Sequence, residues 1–168
     1  MGDEGVGVYI IEELQKNYSP LATRNPLEFI DGGTAAVDVL LSLKDVDKLI
    51  IIDAVKNGGI PGDIYKFHPH QADTVNASVI DSVIDSVIDG QKSETQGMSL
   101  HDLNIIDALK IAEKLGRLPK EIVFIGVEPD EIKPGIELSE KIKNKIPEII
   151  KMVLREVGRE EAVSGEAA

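Results

Sequence analysis

Cysteine is absent from this chain of 168 residues. Its absence excludes disulfide bonds, thiolate metal sites, iron–sulfur clusters and cysteine nucleophiles. Any metal must therefore be bound by His, Asp, Glu or backbone oxygen atoms. Aromatic residues are also scarce, with three Tyr, three Phe and no Trp, so we expect no aromatic surface for stacking nucleic-acid bases.

Basic residues are outnumbered, since 18 Lys+Arg face 30 Asp+Glu and give a formal net charge of −12. Duplex nucleic acids and anionic membranes both attract basic surfaces, so this charge argues against both as partners. No apolar run approaches the ~20 residues of a membrane span. The first residues also lack the apolar core of a signal peptide. We therefore expect a cytoplasmic protein that binds neither nucleic acid nor membrane.

Apolar strand patterns alternate with amphipathic helix patterns along the chain. This alternation predicts an α/β fold: one three-layer domain with a twisted, mostly parallel sheet flanked by helices. We expect the domain to cover residues 1–157, with an inserted helix and loop at about 71–97 and a flexible tail at 158–168. The predicted helices cover residues 6–14, 35–43, 79–89, 103–115 and 138–157, and the predicted strands cover 27–30, 49–52, 64–67 and 122–127.

Three details of these elements are specific enough to test. The continuous apolar run at 49–52 is typical of a strand buried on both faces. Pro147 lies inside the last predicted helix and is expected to kink or divide it. Gly116 follows the helix before it and is expected to end that helix as its C-cap.

Acidic residues stand where several predicted strands end. Asp31, Asp53 and Glu128 follow strands, while Asp3 and Glu4 precede the first helix. Binding sites of open parallel sheets lie beyond the carboxyl ends of the strands, so these carboxylates are candidates for one shared site. The alternative is that each acid caps the helix that follows it.

Histidine occurs three times. His68 and His70 flank Pro69 and fit either a metal-binding pair or, as we favour, a surface turn. His101 precedes a predicted helix and faces the same edge as the strand-end acids. One imidazole with two carboxylates suits nickel or zinc, although no local ligand spacing such as His-Glu-x-x-His and no Gly-x-Ser-x-Gly turn is present.

A Val-Ile-Asp-Ser repeat precedes His101. Its period of four residues is compatible with a helix, and it places Asp81, Asp85 and Asp89 on one side of that helix. This row of carboxylates fits a cation site or, as we favour, a solvated helix face.

Five segments together resemble the nickel–iron hydrogenase maturation endopeptidases. They are Gly2-Asp3-Glu4-Gly5-Val6-Gly7-Val8, Asp31-Gly32-Gly33-Thr34, Ile51-Ile52-Asp53-Ala54-Val55, Ser99-Leu100-His101-Asp102-Leu103, and the stretch from Ile125-Gly126-Val127-Glu128-Pro129 to Ser139. Their order and spacing are those of the family over roughly residues 2–155.

The resemblance implies an endopeptidase that removes the C-terminal extension of a hydrogenase large-subunit precursor after nickel has been inserted. It implies that Glu4, Asp53 and His101 contact this nickel, which the substrate carries and which is not a resident cofactor. Asp31 matches a loop that borders the site. The attacking group is then a metal-activated water, or a water deprotonated by Asp31 or Asp53 in an aspartic-type mechanism.

One departure from the family concerns the start of the chain. The family begins with an apolar strand and a Gly-x-Gly-Asn turn, whereas Met1 directly precedes Gly2 here. We therefore expect that this chain lacks the family's first strand, the alternative being that the true start of the protein lies upstream of Met1. Two alternative functions also stay open: a non-catalytic module that senses or carries metal, and a metallohydrolase with its own zinc.

Overall fold

The computed structural model describes residues 2–18, 27–33, 36–68, 105–130 and 137–158. A short 3-10 helix, Gly2–Gly5, leads into helix α1, Val6–Asn17. The remaining elements are α2 (Ala36–Ser42), β1 (Lys48–Ala54), β2 (Ile64–Phe67), α3 (Ile105–Lys114), β3 (Glu121–Val127), α4 (Glu140–Lys143) and α5 (Ile146–Glu156). This mixed α/β architecture, with helices flanking a sheet, confirms the predicted fold class.

The three described strands form one sheet in the order β1-β3-β2. Strand β2 runs antiparallel to β3, with Ile64 opposite Val127. Strand β1 runs parallel to β3, because the Glu121 N–H donates to the Asp47 carbonyl (3.0 Å) and the Val55 N–H donates to the Val127 carbonyl (2.9 Å). The carboxyl ends of β1 and β3 consequently meet at one edge of the sheet, as the sequence predicted.

Two strand predictions were wrong in part. Residues 27–30 form no strand, and the amide of Gln15 instead donates to the Phe29 carbonyl (3.3 Å). Strand β1 is half-buried and not enclosed on both faces, because it lies at an edge of the described sheet. Within the described ranges, no strand precedes β1.

The chain divides into two compact units, and β1 and β3 each contribute residues to both. The first unit comprises Met1–Asp31, Ile50–His68 and Val123–Ala168. Its core is one apolar cluster of residues from α1, β3, α4, α5 and the turn before α4: Val6, Ile10, Leu14, Val123, Ile125, Val127, Leu138, Ile142, Ile146, Ile149, Val153 and Leu154. Pro147 lies in the first turn of α5, so the predicted division of the last helix is confirmed.

The second unit comprises Gly32–Leu49 and Pro69–Ile122. Helix α2 packs against α3 in this unit. The buried apolar side chains of these two helices are Leu40, Ala108, Leu109, Ile111 and Ala112. Gly116 has a φ of +65°, which confirms it as the residue that ends α3. None of the described helices is long and apolar enough to cross a bilayer.

Several predictions fall outside the described residues. They are the helix at 79–89, the remainder of the insertion at 71–97, and the tail beyond residue 158. The extent of the single domain, residues 1–157, stays a prediction.

Candidate active site

Asp53 lies near the carboxyl end of β1. Its Oδ1 accepts a hydrogen bond from the Ala54 N–H at 2.8 Å. Burial raises the pKa of Asp53 above its ordinary value, and the negative charge of Glu4 raises it further, while the Ala54 hydrogen bond opposes both effects. The fold therefore makes ionisation of Asp53 more costly than it is for an aspartate in water, and a positive charge nearby would offset this cost.

Glu4 reaches Asp53 because α1 begins beside β1. Gly7, in the first turn of α1, lies so close to the strand that a Cβ atom there would stand 2.3 Å from the Ile52 carbonyl oxygen. Only glycine permits this approach of helix backbone to strand backbone. Glu4, three residues earlier, is exposed and close enough to Asp53 to affect its pKa. The sequence contained a signal for this close approach of α1 to β1 in the repeated glycines around Glu4.

The carboxylates of Glu4 and Asp53 belong to two of the three predicted metal ligands. A divalent cation beside them would relieve their mutual repulsion and stabilise the ionised form of Asp53. Among the described residues, no group of three or more His, Asp or Glu side chains is arranged to hold a metal ion. His101, the third predicted ligand, lies outside the described residues.

Asp3 is adjacent to Glu4 in sequence but is buried, with 4% of its surface exposed. Its Oδ1 accepts the Ser139 N–H at 2.6 Å and its Oδ2 accepts the Asp130 N–H at 3.0 Å. Both oxygens are therefore used to fix the two ends of the chain segment between β3 and α4. The sequence predicted either a place in the shared carboxylate site or a helix-capping role for Asp3, and it gave no sign of this anchoring role.

Glu128 follows β3 and is also buried. Its Oε2 accepts the Asn57 N–H at 2.9 Å and the Tyr65 hydroxyl at 2.8 Å. The Asn57 hydrogen bond is the main reason that the pKa of Glu128 lies below its ordinary value, with smaller contributions from Tyr65 and the N–H groups of Gly59 and Gly58. Glu128 thus anchors the loop after β1, and its lone pairs are already engaged by protein donors.

The remaining candidates are less well placed. Asp31 is exposed and lies two residues after Phe29, whose carbonyl accepts the hydrogen bond from Gln15. The role of Asp31 as a base stays a prediction. His68 is exposed immediately after β2. His70 and the three aspartates of the repeat lie outside the described residues.

Comparison with known proteins agrees with this architecture. The solved structure of the hydrogenase maturating endopeptidase HybD from E. coli superposes with a TM-score of 0.67 at 27% identity, covering 94% of this chain and 87% of that one. The hydrogenase 2 maturation protease of Escherichia coli strain K12 is 29% identical over 153 residues, 90% of this chain and 80% of its own length. The hydrogenase expression/formation protein HupD of Thiocapsa roseopersicina is 30% identical over 153 residues, and the chain spans 60% of its length.

Fold and sequence together define a peptidase. The family model for hydrogenase maturation protease, HycI, matches residues 8–82 and 85–156, and the chain belongs to this family. The matched ranges include Asp31, Asp53 and His101 and begin just after Glu4.

Proposed function

We propose that this protein removes the C-terminal extension of a nickel–iron hydrogenase large-subunit precursor once nickel has been inserted. In this proposal Glu4, Asp53 and His101 bind the nickel that the precursor carries. The proposed location is the cytoplasm, which stays a prediction.

The placement of Glu4 beside Asp53 is the observation that supports this proposal most directly. Two carboxylates at the carboxyl end of a strand, one with a raised pKa, form a site that gains stability when a cation enters. An imidazole is the donor that would extend the set, and nickel accepts oxygen and imidazole ligands. A partial set binds free metal weakly but completes the coordination of a metal held by another protein, which makes cleavage conditional on metallation.

Peptide hydrolysis at this site requires a water to add to the scissile carbonyl. A base takes one proton from that water, and a proton passes to the leaving nitrogen as the C–N bond breaks. The substrate's nickel lowers the pKa of a bound water, and Asp31 or Asp53 is the candidate base. An aspartate whose pKa is raised toward the working pH accepts a proton more readily than an ordinary one.

The test is to incubate the protein with nickel-loaded precursor and with metal-free precursor, and to follow release of the C-terminal extension by mass spectrometry. We expect cleavage of the loaded precursor only. The substitutions Glu4→Gln, Asp53→Asn and His101→Ala should each slow cleavage by at least about 100-fold.

Glu12→Gln is the matched control, because Glu12 is an exposed acid on α1 outside the site; it should cleave at the wild-type rate. Full activity in all three site variants would refute the proposed site. Metal transfer without cleavage would favour the carrier alternative, and tightly bound stoichiometric metal in the purified protein would favour a zinc hydrolase.

A further inference from the structure

Residues 57–63, here called the Ile60 loop, lie between β1 and β2 and begin four residues after Asp53 in the sequence. We infer that this loop and the adjoining groove bind an extended apolar segment of the precursor polypeptide next to the scissile bond. The inference rests on the proposed function and specifies where that substrate is held.

The Ile60 loop is held in one conformation by hydrogen bonds. The Asp63 N–H donates to the Ile60 carbonyl and the Asp63 carboxylate accepts the Ile60 N–H, both at 2.8 Å. Gly62 has a φ of +94°, as the third position of a type II turn after Pro61 requires. The Gly62 N–H donates to the Glu128 carbonyl at 2.9 Å.

The Glu128 side chain completes this arrangement from inside the protein. Its carboxylate accepts hydrogen bonds from the Asn57 N–H, at the start of the loop, and from the Tyr65 hydroxyl, just after its end. Gly59 lies so close to this pair that a Cβ there would stand 1.9 Å from the Tyr65 oxygen. A surface loop fixed this way loses little conformational entropy when it binds a partner.

The fixed loop presents an apolar side chain to solvent. Ile60 is 73% exposed, and Phe67 at the end of β2 is 38% exposed. Phe67 also lines an open groove of about 510 Å³, together with Val55, Asn57 and residues 64–66 of β2. Asn57 belongs both to this groove and to the Ile60 loop, so the loop borders the groove.

Val55 links the groove to the candidate active site, because it lines the groove and follows Asp53 by two residues. Tyr65 pairs with Gly126 and Phe67 pairs with Phe124 across the antiparallel strands, and the Phe67 and Phe124 rings stack at 4.8 Å. Val55 covers Gly126, where a Cβ would stand 2.9 Å from its Cγ2 atom. Val55 therefore lies on the same face as Tyr65 and Phe67, two residues along the chain from Asp53.

The shape of the surface fits an extended polypeptide. Within the described sheet, β2 has a strand neighbour on one side only, and extended peptides bind along such edges with alternate side chains in adjoining pockets. A peptidase must hold its substrate chain beside the catalytic groups. Among the described residues, this groove offers apolar side chains next to Val55, two residues from Asp53.

The experiment measures steady-state cleavage of nickel-loaded precursor by Ile60→Ser, Tyr9→Ser and wild-type protein. Ile60→Ser should raise KM about 10-fold with little change in kcat, because it removes apolar contact made equally in ground and transition states. Tyr9→Ser, which removes an exposed apolar side chain from α1, should leave both constants unchanged. Loaded precursor should also slow hydrogen exchange of the amides at 57–63 in the wild-type protein.

Glu128→Gln tests whether the fixed conformation matters. It should speed hydrogen exchange of the Ile60 loop without precursor and raise KM. Unchanged KM in Ile60→Ser, or a fall in kcat alone, would overturn the docking inference while leaving the proposed cleavage intact. Failure of the wild-type protein to cleave loaded precursor would overturn both.

Discussion

Four acids near the carboxyl ends of β1 and β3 fall into two pairs with opposite environments. Asp3 and Glu128 form the first pair, and Glu4 and Asp53 form the second. Asp3 and Glu128 are buried and accept hydrogen bonds from donors distant in sequence. Glu4 is exposed, and Asp53 keeps some exposed surface although it is desolvated enough to raise its pKa, which the charge of Glu4 raises further. Burial with full hydrogen bonding commits a carboxylate to holding the fold, whereas partial exposure beside a like charge leaves it able to bind a cation.

Asp3→Ala should produce the largest loss of stability. It leaves the N–H groups of Asp130 and Ser139 without their acceptor in a buried site. Each unpaired donor costs about 1–3 kcal/mol, so the free energy of unfolding should fall by about 2–6 kcal/mol. Urea denaturation at neutral pH measures this, and a change under about 0.5 kcal/mol would contradict the distinction between the two pairs.

Glu128→Gln should lower the melting temperature by about 3–6 °C at neutral pH. The pKa of Glu128 is lowered in the fold, so its stabilising effect is complete above the pKa of the unfolded chain, about 4.3. The effect is lost as pH falls through the lower folded pKa. Thermal melts at a series of pH values should therefore converge for wild type and variant in acid; a constant difference would show that charge is not the cause.

Glu4→Gln and Asp53→Asn should change stability least, by under about 0.5 kcal/mol. For Asp53→Asn the sign should be stabilising at neutral pH. Its pKa is raised in the fold, so the cost of ionisation is absent below the unfolded pKa and complete above the folded one. Urea denaturation of both variants together with Asp3→Ala compares the two pairs directly. Marked destabilisation by Glu4→Gln or Asp53→Asn would show that the substituted residue has a structural role.

Local patterns were sufficient to predict most of the fold. The helix predicted over residues 138–157 corresponds to α4 and α5, and Pro147 predicted their division. Strand β2 has the predicted bounds. Residues 27–30 have a strand-like composition but form no strand, because a ladder depends on a neighbour that no local pattern specifies.

The candidate site was predictable only in part, for the same reason. Glu4 was indicated by its place before the first helix and by the family motifs, whereas Asp53 was indicated by the family motifs and by its strand-end position. The same position also indicated Glu128, whose burial depends on Asn57 and Tyr65 from another part of the chain. An acid at a strand end can bind a ligand only if hydrogen-bond donors of the protein do not already occupy it. These donors come from distant parts of the sequence, so local patterns do not reveal them.

The two hydrogen bonds of Asp3 have a consequence for the order of folding. They join residues separated by 127 and 136 positions in the chain. Contacts of such long range form only after most of the polypeptide is present. The first turn that carries Glu4 is therefore anchored only after residues 130 and 139 have been synthesised, so the cation site proposed for Glu4 and Asp53 is one of the last parts of the fold to be fixed.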